Sequence, residues 1–374
     1  MAELEREREE LELGEQDPRL YYDYEGRFVK QRLERDRMRM LPRVVKPAMF
    51  ATNGHALGDV RVFERFTVGP VSALTCRFLE IAPGEKIPET RRIPLLTMFV
   101  LEGSGICVQE GEEHAFEAED VVVVPPYTRH SVVAGPEGFR AWVPETRFWH
   151  VLGLLWHEHF EGQDLPGIER LVGEDGSWSG YRVHEGVLGL DSDLEIPAGA
   201  EPKRDAVFRA RRTEREASRF GGDAWYDDFL RRLPEDNERY EATPRVVHGA
   251  EVPWEDTRGG RMKFYISNWT NLAGQDLDLA MYEIPPGVRT GTHRHIAEEL
   301  LLVLEGSGSD DHDGIEHRWE AGDLICIPPM AAHSHANDGD RTASLVSVWS
   351  HHPANEFLGG FEHIADAVGG GGGS

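Results

Sequence analysis

The chain has 374 residues, of which 40% are hydrophobic and 29% charged, with a formal charge of −27 at pH 7. That length allows two ordinary globular domains, each with its own core. The acidic balance, dense in the opening MAELEREREELELGEQD, repels nucleic-acid phosphates and anionic lipid head groups, so neither is an expected partner.

In chain order, residues 1–41 read as an acidic arm with a helix from Arg27 to Leu41. No apolar signal region opens it, and no run approaches the ~18 apolar residues of a membrane span. The expected compartment is the cytoplasm. Residues 42–155 follow as short apolar runs, LTMFVLEG and DVVVVPP among them, separated by Gly, Pro and acidic turns, which is the pattern of many short strands. Residues 156–240 read as a connecting segment with helix in DAWYDDFLRRLP. There Trp225, Phe229 and Leu233 recur on one face and Pro234 ends the run. Residues 241–358 return to strands with LLLVLEG and DLICIPP. Residues 359–374 read as a tail ending in a GGGGGS linker. Cys76, Cys107 and Cys326 each lie alone in an apolar run, as small buried hydrophobes of a reducing compartment do. Asn268-Trp269-Thr270 matches a glycosylation sequon, which has no meaning without secretion.

The two strand-rich stretches are copies of one another. LPRVVK and TPRVVH place Pro42 and Pro244 202 residues apart, and the offset then becomes 203 for Gly84 and Gly287, Gly103 and Gly306, Pro125 and Pro328, and His130 and His333. LEGSG recurs at residues 101 and 304. Several conserved internal spacings mark a duplicated domain. The pattern predicts an all-β sandwich or barrel, with LLLVL apolar at odd and even positions because it is buried on both sides.

Within the second copy, GTHRHIAEEL sets His293, His295 and Glu299 at spacings that a strand turns to one face. His333, after the turn at PPMAA, is placed to return across the barrel. Glu298 has the opposite parity to Glu299 and is the weaker candidate. Three imidazoles and a carboxylate suit Fe(II), Mn(II), Ni(II), Co(II), Zn(II) or Cu(II) rather than Ca or Mg. Four ligands on a six-coordinate ion leave two positions for a bidentate substrate, or for substrate and dioxygen. His335 shares the face of His333 and reads either as a proton-transfer group of the site or as a solvent-facing histidine. Leu301 and Val303 share the parity of Glu299 and read as apolar wall or plain core. Arg289 and Arg294 are the nearest cations for a substrate carboxylate, Arg294 having the parity of a solvent-facing residue. The same columns in the first copy hold Thr90, Arg92 and Leu96, with only His130 kept, which leaves that copy a structural role. His114 and His317 match across the copies and read as strand residues. His157-Glu158-His159 is a second H-x-H without a companion motif, a weaker alternative for metal, and His351 and His352 follow the last strand, either lining the mouth of the barrel or as plain loop residues.

The pattern G-x5-H-x-H-x3-E-x6-G, followed by G-x5-P-x4-H-x3-N, resembles the two signature motifs of the cupin superfamily, and the duplication resembles a bicupin. The resemblance implies two tandem double-stranded β-helix (jelly-roll) barrels, flanked here by the helical arm and helical connecting segment. It implies a metal held in the second barrel by His293, His295, Glu299 and His333. Met330 stands where the pattern usually has glycine.

Size and architecture are similar to the gentisate 1,2-dioxygenase group, which implies a non-haem Fe(II) dioxygenase acting on a small hydroxylated aromatic. That group usually carries its metal in the first cupin and lacks the glutamate, two departures of this chain. A second expectation is a Mn(II)- or Ni(II)-dependent lyase, isomerase or decarboxylase of a hydroxy or keto acid. A third is a non-enzymatic bicupin that binds a small molecule. The helical faces are candidate surfaces for a homo-oligomer.

Overall fold

A computed structural model describes residues 42–49, 51–55, 58–63, 73–92, 95–125, 128–146, 157–159, 168–173, 178–185, 192–197, 242–267, 277–350 and 361–368. The arm, the helix expected from Asp223, the Asn268 sequon, His351, His352 and the terminal linker lie outside these residues.

The described chain is all-β apart from one 3-10 turn at Pro47–Met49. The second copy is a jelly roll of two antiparallel sheets. One holds seven strands in the order Val44–Val45, Leu324–Ile327, Glu299–Glu305, Ala343–Ser350, Leu277–Ile284, Gly260–Ile266, Glu255–Thr257. The other holds five, in the order Ile315–Glu320, Ser307–His312, His333–Asn337, Thr292–His295, Phe361–Ala365. In the first copy the long strands Leu96–Gln109 and His130–Thr146 run through both faces, so the strands form one ten-stranded sheet. The LEGSG glycines mark where the chain passes from one face to the other. Gly306 has φ +87°, and a Cβ there would lie 2.8 Å from Ala343; Gly103 has φ +80°, and its Cβ would fall 2.1 Å from the Gly138 carbonyl. Only glycine fits both the backbone and the approach.

The two copies exchange their leading strands. Val44–Val45 pairs with Leu324–Ile327 of the second copy, Val44 opposite Ile325, and Val246–Val247 pairs with Val121–Val124 of the first, Val246 opposite Val122. The flanking contacts repeat as well. Cys326 N donates to the Arg43 carbonyl at 2.7 Å, as Val123 N does to the Arg245 carbonyl at 2.9 Å. Lys46 Nζ meets Asp323 at 2.6 Å, and His248 Nδ1 meets Asp120 at 3.0 Å. The division at 42–155 and 241–358 follows chain order, whereas in space each PRVV strand completes the other copy's sheet.

Packing explains the run LLLVL. Leu301 and Val303 join Ile284, Ile325, Ile327 and Leu345 inside the second barrel. Leu300 and Leu302 instead join Phe99, Trp142, Tyr265 and Val348 in a core shared by the two copies. Both parities are buried, each large side chain contributing roughly 2 kcal/mol. A third cluster, with Met98, Val100, Phe116 and Val132, fills the first barrel. The three cysteines are buried free thiols, and burial pushes Cys76 and Cys107 up to about 12. They serve as core residues, as their apolar runs predict.

Two features lie outside the sequence expectation. In the connecting segment, Ile168–Val172, Trp178–Val183 and Leu194–Pro197 form a three-stranded antiparallel sheet in which Arg182 pairs with Glu169 and Glu195. Beyond residue 358, Phe361–Ala365 forms an edge strand on Thr292–His295. No helix among the described residues is long and apolar enough to cross a membrane.

Candidate metal centre

The strand Thr292–His295 alternates between half-buried and buried, so His293 and His295 turn inward while Arg294 turns out to pair with Glu362. His333 begins the neighbouring strand directly opposite His293. Glu299 begins a strand of the facing sheet. The four residues therefore close the space between the two sheets, with one ligand atom from each lying within 4.8 Å of all the others. Among the described residues they are the one group of this kind.

The backbone sets the orientation of each ring. His293 Nδ1 lies 3.2 Å from the Gly291 carbonyl, His295 Nδ1 2.8 Å from that of Ala297, and His333 Nδ1 2.9 Å from that of Ala331. A carbonyl only accepts, so each Nδ1 carries the proton and Nε2 is left for the centre. His295 Nε2 and His333 Nε2 stand 3.1 and 3.4 Å from Glu299 Oε2. His333 Nε2 is buried without a hydrogen bond. The hydroxyl of Ser347 donates to the other carboxylate oxygen of Glu299.

Burial pushes His293 down to about 3, with the neighbouring His333 adding to the shift. Burial also lowers His333, against the pull of Glu299. For His295, burial is outweighed by the Glu299 hydrogen bond and charge, and the net shift is upward. Burial would raise Glu299, but the neighbouring His295 and His333 hold it well below the usual carboxylate range. The group is thus a buried carboxylate with two rings, His293 and His333, pushed toward the neutral form and a third, His295, drawn toward the carboxylate charge, a field that favours a positive charge. These residues fit a first-row divalent cation.

Glu298 and Glu299 point to different places. Glu298 is buried toward the first copy, where its carboxylate accepts from the Ala73 backbone N–H. Parity thus separates the two as the sequence predicts. Arg289 hydrogen-bonds Ser334 at 3.1 Å. Met330 has φ +63° and its N–H donates to the His295 carbonyl at 2.7 Å, so the position where the motif favours glycine does need the left-handed backbone. The exposed ring of Phe361 stacks over His293 at 5.3 Å and 28°.

His335 is fully buried, one strand position deeper than His333. Its Nδ1 lies 2.9 Å from Asp310 Oδ2, and its ring packs edge-on to Tyr282 at 5.8 Å. The solvent-facing reading of His335 is therefore wrong: two barrel sheets cover it. Asp310 also accepts from Trp319 Nε1 at 2.7 Å and lies 3.3 Å from His312 Nε2. Burial would raise Asp310, but His335 and His312 drive it well below the carboxylate range. Burial would lower His335, but Asp310 outweighs it and the net shift is upward.

Asp310, Ser347 and Tyr282 were not singled out by the motif. A signal for Asp310 existed in the repeat columns, which hold Cys107 in place of Asp310 and Val132 in place of His335.

In the first copy, Thr90 stands opposite His130 as His293 stands opposite His333. Arg92 there pairs with Glu145, and Leu96 is buried. The His157–His159 strand pairs with this edge, His159 opposite Thr90 and His157 opposite Arg92. His114 and His317 are half-buried strand residues in both copies.

Comparison with known proteins agrees with this architecture. Residues 280–349 match the cupin domain family. Protein SchB of Streptomyces halstedii is 30% identical over 107 residues, 28% of this chain and 77% of that protein. The chain belongs to the cupin family. Dimethylsulfoniopropionate lyase DddW of Ruegeria pomeroyi is 41% identical over 94 residues, 24% of this chain and 62% of the lyase. Gentisate 1,2 dioxygenase 1 of Aquipseudomonas alcaligenes is 39% identical over 59 residues, 16% of this chain and 17% of the dioxygenase. The chain thus spans less than two thirds of the lyase and about a sixth of the dioxygenase. A solved oxalate decarboxylase of Bacillus subtilis superposes with a TM-score of 0.53 at 14% identity, covering 87% of this chain and 80% of that one, a likeness of fold.

Proposed function

We propose that the second barrel binds one divalent metal through His293, His295, Glu299 and His333, and that the protein is a non-haem Fe(II) dioxygenase of a small hydroxylated aromatic. The observation that carries the metal reading is the orientation of the three rings. Each is locked by a backbone carbonyl with Nε2 left for the space beside Glu299. Bound there, Fe(II) would supply two open positions for an oxygen-chelating substrate and dioxygen.

The chain's own residues prepare that chemistry. Ser347 holds the Glu299 carboxylate in its direction. Leu301, Val303, Ile284 and Ile327 keep the barrel interior apolar, so water is excluded from a reactive centre. The Phe361 ring beside His293 offers a flat apolar surface suited to an aromatic substrate. The likeness to gentisate 1,2 dioxygenase 1 supports this choice. The formal charge of −27 argues against nucleic acid as a partner.

A specific observation favours a second reading. The stretch shared with dimethylsulfoniopropionate lyase DddW is 41% identical, and this chain retains a ligand glutamate. A Mn(II)- or Ni(II)-dependent lyase or decarboxylase would use the same four residues without dioxygen. Oxygen uptake separates the two: the iron-loaded protein should consume dioxygen with hydroxylated aromatic acids, whereas turnover unchanged under anaerobic conditions would replace the first reading by the second. Ligand held without turnover under either condition would leave a binding protein.

A further inference from the structure

The two copies share one strand register, but where the second carries a buried carboxylate and histidine next to its candidate metal ligands, the first carries apolar residues. Asp310 stands opposite His335 in the second copy, where Cys107 stands opposite Val132 in the first. Trp319 stands opposite Gly308 where Phe116 stands opposite Gly105. The first barrel thus shows that the fold is satisfied by Cys, Val and Phe at these positions. A fully buried carboxylate costs desolvation that such a trio avoids, so Asp310 and His335 need another reason to be there.

Asp310 engages three donors, Trp319 Nε1 at 2.7 Å, His335 Nδ1 at 2.9 Å and His312 Nε2 at 3.3 Å. These contacts fix the His335 ring. Its remaining nitrogen, Nε2, is sealed from solvent and has no hydrogen-bond partner. The ring lies on the inward face of its strand, 5.7 Å from the ring of His333. A buried polar atom with no partner is costly in a native fold unless a ligand completes it.

We propose that His335 is a substrate contact of the second barrel, presenting Nε2 to the polar end of a metal-chelated substrate, and that Asp310 is the positioning residue that holds it. This rests on the metal reading above but not on the identity of the metal or substrate. The contact discriminates in favour of substrates that carry a hydrogen-bonding group beside the chelating oxygens, because its absence leaves Nε2 unpaired.

The test uses the full chain loaded with Co(II), whose visible spectrum reports the metal, and acetohydroxamate as a bidentate oxygen probe. Asp310→Asn and His335→Gln should keep the wild-type Co(II) content and bind the probe about tenfold more weakly, the loss of one buried hydrogen bond. The quadruple variant Asp310→Cys, His335→Val, Trp319→Phe, His312→Gln copies the combination that the first barrel already packs, with Gln109 in the column of His312, so it should fold, keep Co(II), and show the same loss. Wild-type probe affinity in these variants would overturn the proposal. So would a folded quadruple variant that loses Co(II), since the cluster would then serve the metal ligands alone. Failure of the wild-type chain itself to take up Co(II) would be a different result, sinking the metal reading and this contact with it.

Discussion

His293 stands directly opposite His333 across two antiparallel strands, in the register that sets Thr90 opposite His130 in the other copy. The same backbone thus presents the same four positions twice, filled once with a set of residues that could hold a metal. His293→Ala should lower metal affinity by at least about a hundredfold while leaving the β fold intact, and Thr90→Ala should leave metal content unchanged. Metal per chain and far-ultraviolet circular dichroism on both variants check this. A metal-free Thr90→Ala protein would show that the wrong barrel has been assigned.

Glu298 and Glu299 are adjacent in sequence and serve different cores. Glu299→Gln should release the metal. Glu298→Ala should keep it but lower stability by roughly 1–3 kcal/mol, because the Ala73 N–H loses its buried acceptor. Urea unfolding paired with metal analysis separates the two effects, and the reverse pattern would overturn the assignment by strand parity.

Ser347 tests the support behind the site. Its hydroxyl donates to Glu299, so Ser347→Ala should weaken metal binding about tenfold with no loss of fold. Competition against a chromophoric chelator measures it, and an unchanged affinity would mean that Glu299 is oriented by packing alone.

These three predictions differ in how far the sequence alone could have supplied them. The H-x-H-x3-E spacing and the 203-residue repeat made the four-residue cluster and the barrels legible, because strand parity converts spacing directly into facing. Ser347 and Asp310 were not legible from the motif, since each acts from a different strand and SGSDDH reads locally as a polar turn. The strand exchange was hidden for another reason: the two valines of PRVV carry no mark of which sheet they join. Phe361–Ala365 lay past the expected end of the barrel, and its role depends on pairing with the ligand strand. In the connecting segment, the helix expected from Trp225, Phe229 and Leu233 lies outside the described residues, and the strands around Arg182 have too little apolar alternation to announce themselves.

His130 gives a pH dependence. Burial pushes its pKa down to about 4, with Thr128 partly opposing and Arg92 adding to the shift, whereas an unfolded histidine sits near ~6.5. Between those values the unfolded chain binds a proton that the folded one does not, so stability falls as pH drops through that window. At pH 4.5 the loss attributable to His130 should be roughly 2–3 kcal/mol relative to pH 7. His130→Gln should remove that share of the loss in urea unfolding at the two pH values. An acid loss equal to that of the wild type would show that His130 is not the group responsible.

The most direct test of the central claim is elemental mass spectrometry of the full chain purified without oxygen, counting each transition metal per chain. The proposed site predicts about one iron per chain in the wild type and none in His293→Ala. One manganese or nickel per chain would keep the four ligands and move the activity to the lyase or decarboxylase reading. No metal in the wild-type protein, even after anaerobic reconstitution, would contradict the account.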